Sequence, residues 1–461
     1  MSINKPLALV HIELFKREFL PKLYLALKLA KKYDFQILIG KVENYAQKKK
    51  GTGVYLNKDH GLWSRERLLK IQENGYLVTA FDEEGMIYKS DELYNQTRGD
   101  KELLERLDAV FLWGNKQLET IRKNNPARNN KYLTGSPKFD LYRKLKDRTN
   151  ETSNESELVK VLINTRFTYV NPLSDSLEKE IDNLRRLNFI TTPREEVEFQ
   201  EFVESDKKIF LEFVKLIKSL ANNDRFRITI RPHPAEKIDV YRELAGDFKN
   251  VTVDYSTELA QQICENDCVI HDGCTTAIEA RALGKHVFGL RPDGLKSPYL
   301  SFANQFSTNF QECKPLIEHL HNRNNWQFED VTDIARKYIA NWSDSTATDS
   351  IAKVMNSFNT APNPLLKHIA FKERVKYSFK RMLFHLIHKT FWIHGKLPSK
   401  IKNRLDSFYK SENKSLATFP PIYMTDVKRN IQNLCSLDNS LGSESDYVIK
   451  KVSAHSFLIY K

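Results

Sequence analysis

The chain has 461 residues, 41% of them hydrophobic and 28% charged, with a formal net charge of +13. This composition excludes a disordered or fibrous chain, and the length exceeds one ordinary core, so two domains and an appendage are expected. No apolar run reaches the roughly 18 residues needed to span a bilayer, and the opening MSINKPLALVHIELFKREFL lacks the features of a signal peptide, so a cytoplasmic location is expected.

From residue 6 to residue 135, apolar runs alternate with helical patterns. PLALVHIEL is followed by a helix near residues 18–32, FQILIG by a helix near 62–72, GYLVTAF by a helix near 91–107, and then comes AVFLWG. This alternation predicts βαβ units and a parallel sheet. Residues 145–157, LKDRTNETSNESE, are polar and read as a linker. A second series follows: VKVLINT, a helix near 209–220, FRITI, a helix near 236–244, VTVDY, CVIHD, a helix near 275–283, and HVFGL. The expected architecture is therefore α/β, with Rossmann-type domains over residues 1–150 and 151–355. Residues 356–410 form a basic segment and 411–461 a tail in which VIKKVSAHSFLIY alternates like an edge strand. The five cysteines match neither a disulfide framework nor a zinc pattern; Cys264 and Cys268 read as small apolar core residues.

The positive charge is localised. Between Pro364 and Lys410 there are 12 Lys and Arg against 2 Asp and Glu, so this stretch holds +10 of the +13 and the rest is nearly neutral. Nucleic acid is disfavoured as a partner. Val375, Phe379, Met382, Leu383 and Leu386 follow helical spacing among the basic residues, with Phe391 and Trp392 beyond. Such a helix suits an anionic inner-membrane surface through residues 365–410, and equally a helix packed on its own domain with a solvated basic face.

Ligands of open α/β sheets bind beyond the carboxyl ends of the strands, so polar groups there are the candidate site. ITIRPHPAEK places Arg231 and His233 at one such end, with Pro232 and Pro234 keeping the chain extended; both side chains suit a phosphate, while a His-Pro pair also serves as a plain turn. CVIHDGCTTAIEARALG brings Cys274, Thr275 and Thr276 to a helix start, where unpaired amides and hydroxyls favour an anion. Thr276 to Glu279 also fits a capping box, leaving Glu279 divided between cap and ribose contact. FDEEG ends GYLVTAF with Asp82, Glu83 and Glu84. Three adjacent carboxylates tend to raise one another's pKa, which suits a general base, although acidic turns are common as solvated loops. Gly85 permits the sharp turn. The phosphate-directed ends and the acidic turn together describe a cleft with a nucleotide on one wall and a base on the other, the GT-B layout; no GxGxxG or GxxxxGK[ST] motif appears.

The stretches FDEEG, FLWGNKQLETI, YLTGSPKFDLYRK, VLINTRFTYVN, ITIRPHPAE and VIHDGCTTAIEARALGK resemble those of bacterial surface carbohydrate biosynthesis proteins over roughly residues 6–300. The order of acidic-acidic-Gly, His-Pro and Ser/Thr motifs is also similar to that of bacterial sialyltransferases and Kdo transferases. The resemblance implies a GT-B-like fold and transfer of a CMP-activated acidic sugar to a lipid-linked glycan, with no cofactor or metal. It implies Glu83 or Asp82, with Glu84, as base or nucleophile. His233 and Pro234, with Arg231, would hold phosphate together with the Cys274, Thr275 and Thr276 turn. Asp272 and His286 depart from the family pattern, and Asp272 puts a negative charge beside the proposed phosphate. Thr134 to Asp140 match a family turn that shapes the cleft. The expected function is a glycosyltransferase of capsule or lipopolysaccharide synthesis, peripheral on the cytoplasmic membrane. The alternatives are a nucleotide-sugar 2-epimerase, a CDP-alcohol phosphotransferase and a non-catalytic assembly subunit.

Overall fold

The computed structural model describes residues 5–86, 90–124, 129–150, 158–173, 176–186, 190–295, 301–362 and 419–461. The basic stretch and its expected membrane helix, with the apolar positions from Val375 to Trp392, lie outside the described residues. The chain divides into two compact α/β units. The first takes residues up to 86, 90–141 and everything from 336 onward, and the second takes 142–335. The division therefore falls at Leu141/Tyr142 rather than at residue 150, and residues 336–355 group with the first unit rather than the second. Leu145 to Asn150, read as linker, are the last residues of a helix, Pro137–Asn150.

The first unit is built on β1 (Leu7–His11), β2 (Gln36–Gly40), β3 (Val54–Asn57), β4 (Leu77–Phe81), β5 (Ala109–Leu112) and β6 (Lys131–Leu133). They are parallel, in the order β2-β1-β3-β4-β5-β6. β1 and β2 are buried along their whole lengths, as expected of strands covered on both faces. The helix expected near residues 91–107 is two short helices, Asp91–Thr97 and Lys101–Arg106. Ser90 and Asp100 each cap one by accepting from an amide three residues on.

The second unit is built on β7 (Val159–Asn164), β8 (Phe226–Arg231), β9 (Val251–Val253), β10 (Cys268–His271), β11 (His286–Leu290) and β12 (Thr308–Phe310). Its parallel order, β9-β8-β7-β10-β11-β12, is the doubly wound 3-2-1-4-5-6 arrangement. Ile163, Ile228, Ile270 and Phe288 from four strands pack with Phe213, Leu216 and Leu316 from covering helices in one core. The helix expected near 209–220 is far longer, Pro193–Ala221. It starts in a capping box of Thr192 and Glu195 with Pro193 in the first turn.

The carboxyl-terminal strands complete the first sheet. β13 (Val448–Ser453) and β14 (Ser456–Tyr460) form a hairpin, and β14 pairs antiparallel with β2, setting Phe457 opposite Ile39 and Ile459 opposite Ile37. β14 is almost entirely buried, while β13 is the edge and carries Lys450 and Lys451, which discourage further pairing. The turn at 134–140 holds the returning chain. The buried Asp140 carboxylate accepts from Asn341 Nδ2 (2.7 Å), Thr348 N (2.7 Å) and Thr348 Oγ1 (2.6 Å). Among the described residues, no helix is long and apolar enough to cross a membrane.

Candidate functional site

Topology locates the candidate edge of each sheet. In the first unit the strand order reverses between β1 and β3, and in the second between β7 and β10; crevices open where neighbouring connections leave to opposite faces. The loops after β1, β3 and β4 and the loops after β7, β8, β10 and β11 are therefore the ones to inspect.

In the first unit, the acidic turn after β4 is neutralised by a surrounding set of cations. Asp82 is buried and accepts from Arg98 Nη1 (2.9 Å), Tyr94 Oη (3.0 Å) and the Glu84 amide (3.0 Å), while its carbonyl takes Trp113 Nε1 at 2.6 Å. Glu84 is held by Arg17 (2.7 Å) and by Arg98. Burial pushes the Glu84 carboxyl upward, but Arg98 and Arg17 outweigh it and bring it down to about 2. Glu83 pairs with Lys22 at 2.9 Å, and Lys22 in turn donates to Glu18 and to the His11 carbonyl, both at 2.8 Å. For Glu83 burial is the largest influence and raises the pKa; Lys22 opposes it and Glu18 adds to it. The expectation that the three carboxylates raise one another thus gives way to a division of roles, because each acid meets a different set of donors. Gly85 answers to close approach rather than to backbone conformation: a Cβ there would sit 2.6 Å from Trp113 Cδ1 and 2.7 Å from Gln117 Nε2.

In the second unit, an ion pair of 3.0 Å between Arg166, after β7, and the fully buried Asp272, after β10, spans the switch point. The negative charge of Asp272 is thereby met by a cation that the sequence motifs had not singled out. Arg291 leaves the end of β11, with Nη1 3.7 Å from where a Gly273 Cβ would stand, and Gly273 has φ of +127°, a conformation only glycine adopts readily. His233 and Pro234 lie exposed in the loop after β8. His233 Nδ1 accepts from the Ala235 amide at 3.2 Å, so in the neutral ring Nε2 carries the proton and is a donor. Protein crowded around the ring, then the Arg166 cation, lowers its pKa, which keeps that tautomer at neutral pH.

Three expectations for this edge are corrected. Arg231 does not present Nη1 to a ligand: it donates to the Thr257 carbonyl at 2.7 Å and to Gln262 Oε1, tying down the loop after β9. The turn amides are not unpaired either, since those of Gly273 and Cys274 donate to His271 Nδ1 at 2.8 and 3.3 Å, with His271 Nε2 on Ser307 Oγ at 2.6 Å. Accepting at Nδ1 requires a neutral imidazole, and burial followed by the Arg166 cation lowers its pKa to about 3. Glu279 makes no capping box. The helix begins at Thr276 with Thr275 as an uncapped flank in helical geometry, and the Glu279 carboxylate accepts from Tyr142 Oη. Cys274 is a packing residue whose sulfur takes Asn164 Nδ2 at 3.2 Å; burial raises its thiol pKa. Replacing His271 by alanine is expected to strand two turn amides and to lower stability by about 2–3 kcal/mol, read as a reduced thermal midpoint.

Arg166 and Glu236 lie inside the stretches VLINTRFTYVN and ITIRPHPAE without being singled out, Asp206 lies inside a long helix and Arg291 directly follows β11, so no local pattern marked any of them as part of the site. Among the described residues no cluster of three or more His, Cys, Asp or Glu could hold a metal ion.

No family model matches the chain, and no curated protein does. Among solved structures it is similar to the wall teichoic acid polymerase TagF at 10% identity, over 77% of this chain and 89% of that one, with a TM-score of 0.43. It is also similar to the S. aureus MnaA–UDP co-structure (11% identity, 77% and 97% covered, TM-score 0.47) and to Methanocaldococcus jannaschii UDP-GlcNAc 2-epimerase with UDP-GlcNAc and UDP (11%, 76% and 99%, TM-score 0.43). Each is a likeness at low identity, and none identifies this chain.

Proposed function

We propose that the chain is a glycosyltransferase of bacterial surface polysaccharide synthesis, acting on a nucleotide-activated sugar. The observation that carries this reading is the switch-point edge of the second unit, where Arg166, Arg291 and the Nε2–H of His233 supply donors suited to a phosphate. In the first unit the candidate base is Glu83, whose carboxyl is raised by burial. In the reaction Glu83 accepts the acceptor hydroxyl's proton, the new bond forms at the anomeric carbon, and the anomeric carbon–oxygen bond to phosphate breaks. Arg166 and the Nε2–H of the neutral His233 hold the charge that develops on the leaving nucleotide, a task that a fixed cation and a hydrogen-bond donor perform without a metal.

The choice of a CMP-linked acidic donor and a lipid-linked glycan acceptor rests on the motif resemblance. The clustering of positive charge between Pro364 and Lys410 supports an anionic membrane surface as the place of work. The test is to incubate the full-length protein with CMP-, UDP- and CDP-activated substrates, with and without acceptor lipid, and to follow nucleotide release by phosphorus NMR. CMP release that depends on acceptor is expected. Conversion of UDP-N-acetylhexosamine without acceptor would identify an epimerase, and CDP-glycerol turnover a phosphotransferase. Silence with every donor would overturn catalysis and leave the assembly-subunit reading.

A further inference from the structure

Asp206 is one of two fully buried acids of the second unit whose carboxylates lack a hydrogen-bond partner among the described residues, the other being Asp272, which has the Arg166 ion pair. Asp206 lies on the helix Pro193–Ala221, is 1% exposed, and neither carboxylate oxygen has a hydrogen-bond partner. A buried carboxylate left so is costly unless a proton or a ligand resolves it. Four charged groups from the loops beyond the strand ends influence it: Arg166 after β7, Asp272 after β10, Arg291 after β11 and Glu236 after β8. With every acid ionised, these and Asp206 make two cations against three anions, a net charge that repels phosphate at the edge where the other donors gather.

One acid must therefore become neutral when an anion arrives, and the hydrogen bonds select it. Asp272 is paired with Arg166. Glu236 accepts from Tyr241 Oη, from Thr165 Oγ1 at 3.1 and 3.2 Å and from the His233 amide at 3.1 Å, bonds that favour its charged form although burial still pushes its carboxyl up to about 7. Asp206 has no such donors. The turn lies beside the cluster: a Cβ on Gly273 would stand in ordinary contact with Asn304 Oδ1 at 3.5 Å and with Arg291 Nη1 at 3.7 Å. We infer that Asp206 is a charge-compensating positioning residue of the phosphate subsite, taking up one proton as a nucleotide phosphate binds beside Arg166 and Arg291. This deepens the functional reading above and rests on it.

The acid–base balance of the free protein is poised for such an exchange. Burial pushes Asp206 up to about 7, with the Arg166 cation opposing and Asp272 adding. A neighbouring phosphate dianion pushes it further in the same direction, so near pH 8 the carboxyl is mostly ionised when the site is empty and mostly protonated when it is filled. The same acid thus weakens binding in alkaline solution.

The test is calorimetric titration of the full-length protein with CDP at pH 8, in buffers of different ionisation enthalpy, repeated up to pH 9. Uptake of about half a proton or more per CDP is expected, with affinity falling about tenfold between pH 7.5 and pH 9. In Asp206→Asn the uptake should vanish and the pH dependence flatten. CDP binding without proton uptake by the unaltered protein, or uptake that persists in Asp206→Asn, would overturn the role of Asp206 while leaving the phosphate subsite standing. If neither CDP, UDP nor inorganic phosphate binds, the subsite itself is refuted, and this inference with it.

Discussion

Replacing Lys22 by methionine is expected to destabilise the first unit by about 3–5 kcal/mol, because the substitution breaks a buried ion pair on one side only. The Lys22 ammonium, 4% exposed, satisfies the fully buried Glu18, the Glu83 carboxylate and the His11 carbonyl together. Glu18 in turn receives the Glu13 and Leu14 amides at 3.0 Å each, just ahead of the helix Phe15–Tyr33, so losing its counter-charge also disturbs the helix start. Burial raises the Glu18 pKa, but Lys22 and those amides outweigh it and bring it to about 2. A carboxyl lowered on folding stabilises the protein above its unfolded pKa, and that stability is lost as pH falls from about 4.5 toward 2, a contribution of about 3 kcal/mol. Urea unfolding followed by the fluorescence of Trp113, buried beside Asp82, measures both effects. Lys22→Met combined with Glu18→Gln should recover part of the loss and flatten the acid limb. A single-variant loss below about 1 kcal/mol would show that the network contributes little.

The acidic turn shows what a sequence conceals. Asp82, Glu83 and Glu84 were legible as a polar strand end, because a hydrophobic run closing on three acids and a glycine has few other readings. Their separate characters were not, since Arg17 and Lys22 come from a helix far earlier in the chain and Arg98 from a helix end 16 residues past Asp82. A linear reading sees like charges side by side and infers mutual repulsion. The fold replaces repulsion with three different counter-ion arrangements, so that Glu84, held by two arginines, is lowered while Glu83, buried beside Glu18, is raised. The same limit applied to Arg231 and His271. Which of two basic side chains faces outward depends on partners such as Gln262 and Ser307 that no local pattern reveals.

The alternation of apolar runs and helical periodicity was enough to read the two parallel sheets, since buried parallel strands are continuous hydrophobic stretches. β3 escaped notice because VYLN is four residues between a lysine-rich turn and a polar loop, too short for a periodicity argument. The partner of the carboxyl-terminal strand was illegible for a different reason. β14 sits against β2 across more than 400 residues of chain, and strand pairing at that separation is a property of the assembled sheet rather than of either segment. The division between units was likewise obscured, because Asn341 and Thr348 bind the Asp140 carboxylate and group residues after 336 with the first unit.

Glu83→Gln is expected to lower kcat by about 10²- to 10⁴-fold on whichever donor supports turnover, the range associated with loss of a positioned general base. Burial raises the Glu83 pKa against the pull of Lys22, so the acidic limb of the rate profile should lie above the usual carboxylate range, with activity rising as Glu83 loses its proton. In the glutamine variant this limb should disappear. Asp82→Asn and Glu84→Gln act elsewhere: the first disturbs a buried carboxylate with three donors and the second a doubly arginine-bound one, so both should reduce stability more than their effect on the pH profile. His233→Ala and Arg166→Ala, in the other unit, should weaken donor binding and raise KM as well as slow turnover, which separates phosphate holding from proton transfer. A Glu83→Gln enzyme that keeps more than about a third of its kcat and an unchanged pH profile would remove Glu83 from the chemistry. The acidic turn would then stand as a purely structural hub, with the phosphate-directed edge of the second unit unaffected.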